Sequence, residues 1–272
     1  MSTSRAVKVV CMNIMIKYTL QFVTLSVLAF IVWPFMVLLA KIPTLSETTF
    51  SLETLFQSLK VTLVSSGLSI ALIVVIGTIA GYGIYRMHTR YQKIAMQLLD
   101  LPLLLPPAMT GLLLLYAYGQ QSSVGQWLSN NGLSMSFSIN GVVLVFLFVA
   151  LPIYLKGVVQ TFVQFDDDYL ITARLLGESE WNIFKKVTLP LVSRPLCFNA
   201  TLAFSRGIAE FGATMIVAGN LVGVTQTMPL AIYQTLEQNP NEAIVLSLVL
   251  LIFALFLSRL MSHQLKKEAF YV

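Results

Sequence analysis

Arg206 and Glu210 stand one helical turn apart inside a long apolar run, so the first chemistry this chain offers is an ion pair away from bulk water. An isolated charge at membrane depth costs at least about 2.5–3.5 kcal/mol, and pairing offsets part of that cost. The pair can serve as a helix-packing contact or as the wall of a polar path, and the residues alone leave both readings open. Thr225, Gln226 and Thr227 carry hydroxyl and amide donors that could face an oxyanion, or could form an ordinary polar turn outside a membrane.

The groups that usually carry catalysis are not assembled in this sequence. No glycine is followed by lysine, which excludes a phosphate-cradling G-x-x-x-x-G-K-[ST] loop. His88 and His263 lie far apart, and Cys11 and Cys197 have no spacing that suggests a metal site or a disulfide. Neither paired carboxylates nor a serine with a base stands out in the apolar segments. No catalytic residue, metal ligand or cofactor-binding residue is therefore assigned.

The strongest polar feature lies between Phe165 and Arg194, a charged island in a chain that is otherwise apolar. Asp166, Asp167 and Asp168 suit the positive end of a helix dipole, and Gly177 is a natural stop. Ser179 can cap a second short helix, with Glu180 in its first turn and Lys185 and Lys186 in its last, ending where Pro190 forbids continuation. Trp181 and Phe184, three residues apart, would share one face and offer an aromatic surface beside charge. Such a hairpin could dock a soluble partner or rest on lipid headgroups.

These residues must be positioned by membrane-spanning elements. Hydrophobic residues make up 57% of the 272 and charged residues 11%, against about 25% charged in soluble domains. Mean hydropathy is +0.80. A span needs about 20 apolar residues, which predicts an all-α membrane protein with about six spans, over roughly 18–40, 59–85, 94–118, 139–159, 196–218 and 243–261. The first is too long, and lacks a small-residue cleavage site, for a removed signal peptide. Asp100, Pro102, Pro106 and Pro107 predict a broken third span. Lysine and arginine gather before span one, between spans two and three, between four and five, and after six, which predicts both termini cytoplasmic. The net charge of +5 is on this reading a topology signal, and no nucleic-acid partner is expected. The organisation read from these signals is 1–58 for the tail, first span and external loop, 59–262 for the transmembrane core, and 263–272 for a short tail.

Ala173, Gly177, Val187, Leu189 and Pro190 fit the pattern E-A-A-x-x-x-G, nine residues, I-x-L-P, although Ile171 and Thr172 stand where Glu and the first Ala are usual. The segment resembles the cytoplasmic signature of permease subunits of bacterial ABC importers. The blocks AEFGAT, AGN and TQTMPLAIY within 204–233, and LPLLLPPAMTGLLLL at 101–115, look like the molybdate permease subunit, with the sulfate permease a weaker likeness. The resemblance implies a type I ABC importer permease fold in a bacterial inner membrane. It implies an ATPase-docking segment at 166–190 that uses Ala173, Gly177, Glu178, Trp181, Phe184, Val187, Leu189 and Pro190. It makes Arg206, Glu210, Gly212, Thr214, Thr225, Gln226 and Thr227 candidates for the translocation path or gate. The implied partners are a second copy of the chain, an ABC ATPase subunit that uses ATP and Mg, an external molybdate-binding protein, and the lipid bilayer. Sulfate, thiosulfate or tungstate is the alternative cargo, and a passive anion channel or ion-coupled carrier is the alternative of another class.

Overall fold

A computed structural model describes residues 2–41, 51–165 and 168–268. Asp166 and Asp167, expected at a helix start, lie outside the described residues. The chain divides into two compact units, 1–49 and 50–272. The first unit holds α1 (Ser2–Ala40), whose Lys17–Ala40 stretch is long and apolar enough to cross a bilayer.

The second unit opens with α2 (Leu52–Arg86). Ser51 caps it by accepting the Thr54 N–H at 3.2 Å, and Glu53 and Arg86 sit at the ends that suit their charges. This helix begins earlier than the apolar run does, so residues 52–58, expected in an external loop, are helical. Then come α3 (Thr89–Leu98), α4 (Leu101–Leu104) and α5 (Pro107–Tyr118). The 89–104 and 107–118 parts are bent by 110° relative to each other, which is the broken third span. Pro102 is tolerated in the first turn of α4, whereas the Pro106–Pro107 pair leaves no continuing ladder. A short α6 (Ser123–Asn130) precedes α7 (Ile139–Val163), the central helix of the unit.

Gly77 and Gly81 of α2 lie on α7. A Cβ at Gly77 would stand 2.6 Å from the Tyr154 ring, and one at Gly81 would stand 2.5 Å from a Val158 methyl. Their G-x-x-x-G spacing lets the two backbones approach. Tyr154 and Thr78 share a hydrogen bond of 2.8 Å across the same contact. Ile73, Tyr154, Val158, Phe162, Val192 and Leu196 form one core cluster, and Leu114, Val145, Phe146, Ala213 and Val217 form another.

After α7 the chain makes α8 (Asp168–Leu175), α9 (Glu180–Ile183), one π turn over Phe184–Thr188, and α10 (Leu189–Ile208). Pro190 does not end the helix as expected. The π turn, closed by the Leu189 N–H on the Phe184 carbonyl, widens the coil just ahead of the proline, which then occupies the first turn of α10, where its missing N–H is least needed. The continuous coil that carries the fifth span therefore runs from 180 to 208, ahead of the 196–218 expected, with its first residues forming the hairpin. It ends near Gly207 and Gly212, each about 1 kcal/mol worse than alanine inside a helix. Beyond the break lies α11 (Gly212–Ala218), followed by an irregular stretch, α12 (Met228–Gln238) and α13 (Pro240–Glu268). Among the described residues five helices are long and apolar enough to span, or six when the bent pair counts as one.

Candidate functional site

The charged island folds as a two-helix hairpin. At its turn the Glu178 N–H bonds the Ala173 carbonyl at 3.2 Å and the Gly177 N–H bonds the Arg174 carbonyl at 3.0 Å, the double closure of a Schellman motif. That closure needs a residue at positive φ, and Gly177 supplies φ +77°. Ser179 then accepts the Asn182 N–H at 3.3 Å and starts α9, as its position predicts. Across the turn the Arg174 Nε donates to Glu180 Oε1 at 2.7 Å and its Nη2 to Oε2 at 3.2 Å. Lys186 and the Asn182 amide both donate to Glu178, at 3.2 and 2.7 Å. The Asn182 amide, and then the Lys186 ammonium, hold the Glu178 carboxyl below its usual range. These pairs face water and define shape more than they add stability.

The hairpin is anchored by few residues and exposes many. Ala173, Ile183 and Thr188 are buried, while Trp181 is 69% exposed and stacks on Phe184 with ring centroids 6.0 Å apart. Leu175 and Leu176 are the most exposed of its large apolar side chains, at 83% and 78%. Sequence reasoning missed these two leucines, although the signal was present: a helix that stops at Gly177 leaves the preceding residues at the tip. Leu189 and Pro190 are exposed and Val187 is half-buried, all at the hairpin's return into α10.

The Arg206–Glu210 pair forms as its spacing predicts, with Nη1 2.9 Å from Oε2. Glu210 is buried, and its Oε1 also accepts the Ala213 N–H at 3.0 Å, so the carboxylate bridges the end of α10 to the first turn of α11. Gly212 presses on Pro107, where a Cβ would stand 2.8 Å away. Gly207 has no such need, since its Cβ would meet Phe146 at an ordinary 3.7 Å. Thr214 is fully buried on α11, with no hydrogen-bond partner for its hydroxyl.

Thr225, Gln226 and Thr227 lie elsewhere, against α2 and α12. They are not an exposed turn, because all three are buried. The Gly219 and Gly223 backbones, at φ +70° and +74°, fold the stretch inward. Thr225 accepts the Leu221 N–H at 3.1 Å. The Gln226 and Asn220 amides both donate to Gln234, at 2.6 and 2.9 Å, and the Met228 N–H donates to Thr62 at 2.8 Å. The hydroxyl of Thr227 and the amide oxygens of Gln226 and Asn220 remain without a partner. Thr62 belongs to a buried hydroxyl stripe on α2 with Ser58, Ser65, Ser66 and Ser69, most of whose hydroxyls bond back to carbonyls one turn earlier. A further pair, Asp100 with Lys156, ties the broken third span to α7. Its signal was a lysine inside an apolar run, which served above only as an indicator of orientation.

An all-helical core with a broken span, and a charged hairpin continuous with the fifth span, defines a multi-pass membrane protein of the permease class. Residues 73–267 match the family of binding-protein-dependent transport system inner membrane components, and the chain belongs to that family. It is 38% identical over 189 residues to the molybdenum transport system permease protein ModB of Mycobacterium tuberculosis, covering 68% of this chain and 70% of that one. It is 32% identical over 199 residues to the sulfate transport system permease protein CysW of Escherichia coli, covering 71% and 68%. Among solved structures it resembles a chain of a bacterial alginate ABC transporter in complex with an alginate pentasaccharide-bound periplasmic protein. The TM-score is 0.67 at 15% identity, over 92% of this chain and 93% of that one, a likeness of fold. The protein is thus a multi-pass inner-membrane permease with the fold of ABC importer permeases.

Proposed function

We propose that this chain forms the translocation path for molybdate in an ATP-driven importer, with energy supplied by a separate ATPase subunit that docks on the hairpin. The observation that carries the reading is the hairpin itself. Leu175, Leu176 and Trp181 hold apolar side chains in water on the two sides of a turn fixed by Gly177, and large exposed apolar side chains gathered on one short hairpin suit an interaction site. The continuity of α9, the π turn and α10 supports coupling, because a push on the hairpin is delivered along one coil into the fifth span.

Two copies of the chain enclose the path, and an external binding protein delivers the anion. ATP and Mg act in the ATPase, whose closure turns the path outward and whose hydrolysis returns it inward. The lysine and arginine distribution supports a cytoplasmic hairpin and cytoplasmic termini. Arg206, Glu210, Gly212 and Thr214 stand at a hinge between α10 and α11, and Thr225–Thr227 with Gln234 form a second polar place. Both are the path or gate candidates. Molybdate is preferred because identity reaches 38% for a molybdenum permease protein and 32% for a sulfate one. Sulfate is the second reading, favoured by the longer 199-residue match.

Docking is tested by co-purification of the ATPase subunit with hairpin variants. Trp181→Ala and Leu176→Asp are expected to reduce recovered ATPase several-fold while leaving the permease's yield unchanged. Full recovery with both variants contradicts the docking reading.

A further inference from the structure

Between the hairpin ends of α7 and α10 lies a cavity of about 400 Å³. Its polar wall is a single stripe at the end of α7: Gly157, Gln160, Thr161 and the C-cap Gln164 recur at helical spacing on one face. Asn199 completes it from α10. The Asn199 side chain fills the space over Gly157, where a Cβ would stand 2.2 Å from its Cγ. Thr161 donates to the Gly157 carbonyl at 2.8 Å and receives the Asn199 amide at 3.4 Å, so the Asn199 group is held in place. The end amides of Gln160 and Gln164 are exposed, and no hydrogen bond to the described residues fixes them.

Amides facing hydrocarbon would each cost several kcal/mol, so this stripe belongs to a water-filled space. Among the described residues no carboxylate lines the cavity. Three side-chain amides can offer several N–H donors without any fixed charge, the Thr161 hydroxyl being spent on the Gly157 carbonyl. The neighbouring cation, Lys156, is occupied by Asp100 and does not turn the cavity into an anion trap. Neutral donors of this kind suit an anion that must be received and then released, since conduction requires binding weak enough to leave.

We infer that this cavity is an oxyanion vestibule, the last stage before the cytoplasm, in which the Gln160, Gln164 and Asn199 amides donate to a tetrahedral anion and Thr161 holds Asn199 in place. The role as a stage of transport rests on the import reading above, whereas the site itself does not. A free oxyanion and the phosphate of a lipid headgroup share this chemistry, and the vestibule requires the free anion.

Two measurements on the complete transporter test it. In the first, Gln164→Cys is made in a Cys11→Ser, Cys197→Ser background, and labelling by a charged, water-soluble thiol reagent is followed in nanodiscs. Millimolar molybdate or sulfate, but not equal chloride, is expected to slow labelling at least threefold. Equal rates overturn the site, and so does slowing that follows anionic lipid content and ignores the added anions. In the second, uptake of molybdate and of sulfate is measured in proteoliposomes. Gln160→Glu is expected to cut uptake at least tenfold through charge repulsion, while Gln160→Asn retains most of it. Undiminished uptake by Gln160→Glu overturns the vestibule. Protection in the first measurement with no uptake by the unaltered complex would instead sink the import reading and leave the site standing.

Discussion

Gly177 shows how much one residue decides. Its φ of +77° allows both hydrogen bonds of the turn, and nothing lies within 4 Å of where a Cβ would be, so a substitution meets backbone strain and no clash. Gly177→Ala is therefore expected to weaken the turn by about 1–2 kcal/mol, with Gly177→Asn milder. Amide hydrogen exchange at 177–182 measures this, and unchanged protection in the alanine variant contradicts it. Glu178 adds a dependence on pH. Because its folded pKa is depressed, its contribution is present above the ordinary carboxylate value and lost as pH falls through the lower folded one. Protection of the hairpin should drop on acidification below the usual carboxylate range, and Glu178→Gln should flatten that step. Glu210 is different in kind, being buried and bonded to both Arg206 and the Ala213 N–H. Glu210→Ala leaves a buried N–H unpaired and should cost about 1–3 kcal/mol, read as a lower Tm in detergent. An unchanged Tm would show that the bridge between α10 and α11 contributes nothing.

Elements were legible where period and composition agree. The spans of α2, α7 and α13 follow from apolar length, the broken third span from Pro106 and Pro107, and the hairpin turn from Gly177 and Ser179. The fifth span was misplaced because Pro190 reads locally as a stop, and the π turn that accommodates it leaves no mark in composition. The same shift hid the break at 209–211, where Glu210 was legible as half of an ion pair but not as the group that starts α11. Thr225–Thr227 read as a polar turn because burial of a polar stretch depends on partners distant in sequence, here Thr62 and Gln234. The α2–α7 contact yields a prediction at this scale. Gly81→Val and Gly77→Val force side chains onto Val158 and Tyr154, and overpacking of this sort costs about 1–3 kcal/mol per site. Each should lower the Tm of the purified permease, whereas Gly83→Ala, with open space at its Cβ and a better helix former in its place, should hold or raise it. Equal Tm values across the three would remove the glycines' packing role.

At the scale of the whole molecule, the sequence offers an apolar chain with 11% charged residues, no G-x-x-x-x-G-K-[ST] loop, and a charged hairpin continuous with a span. Affinity assigned to an external binding protein is consistent with that sparseness, since a path that held its anion tightly would release it slowly. Cargo identity was the least legible property, because molybdate, tungstate and sulfate are all tetrahedral dianions that the same donors would serve. The most direct measurement is uptake into proteoliposomes holding this chain with its ATPase subunit and the binding protein loaded in turn with molybdate, tungstate or sulfate. The account predicts ATP-dependent molybdate accumulation that requires all three components and stops with the hairpin variant Trp181→Ala. Anion flux through this chain alone without ATP, or uptake driven by the sulfate-loaded protein only, would contradict it.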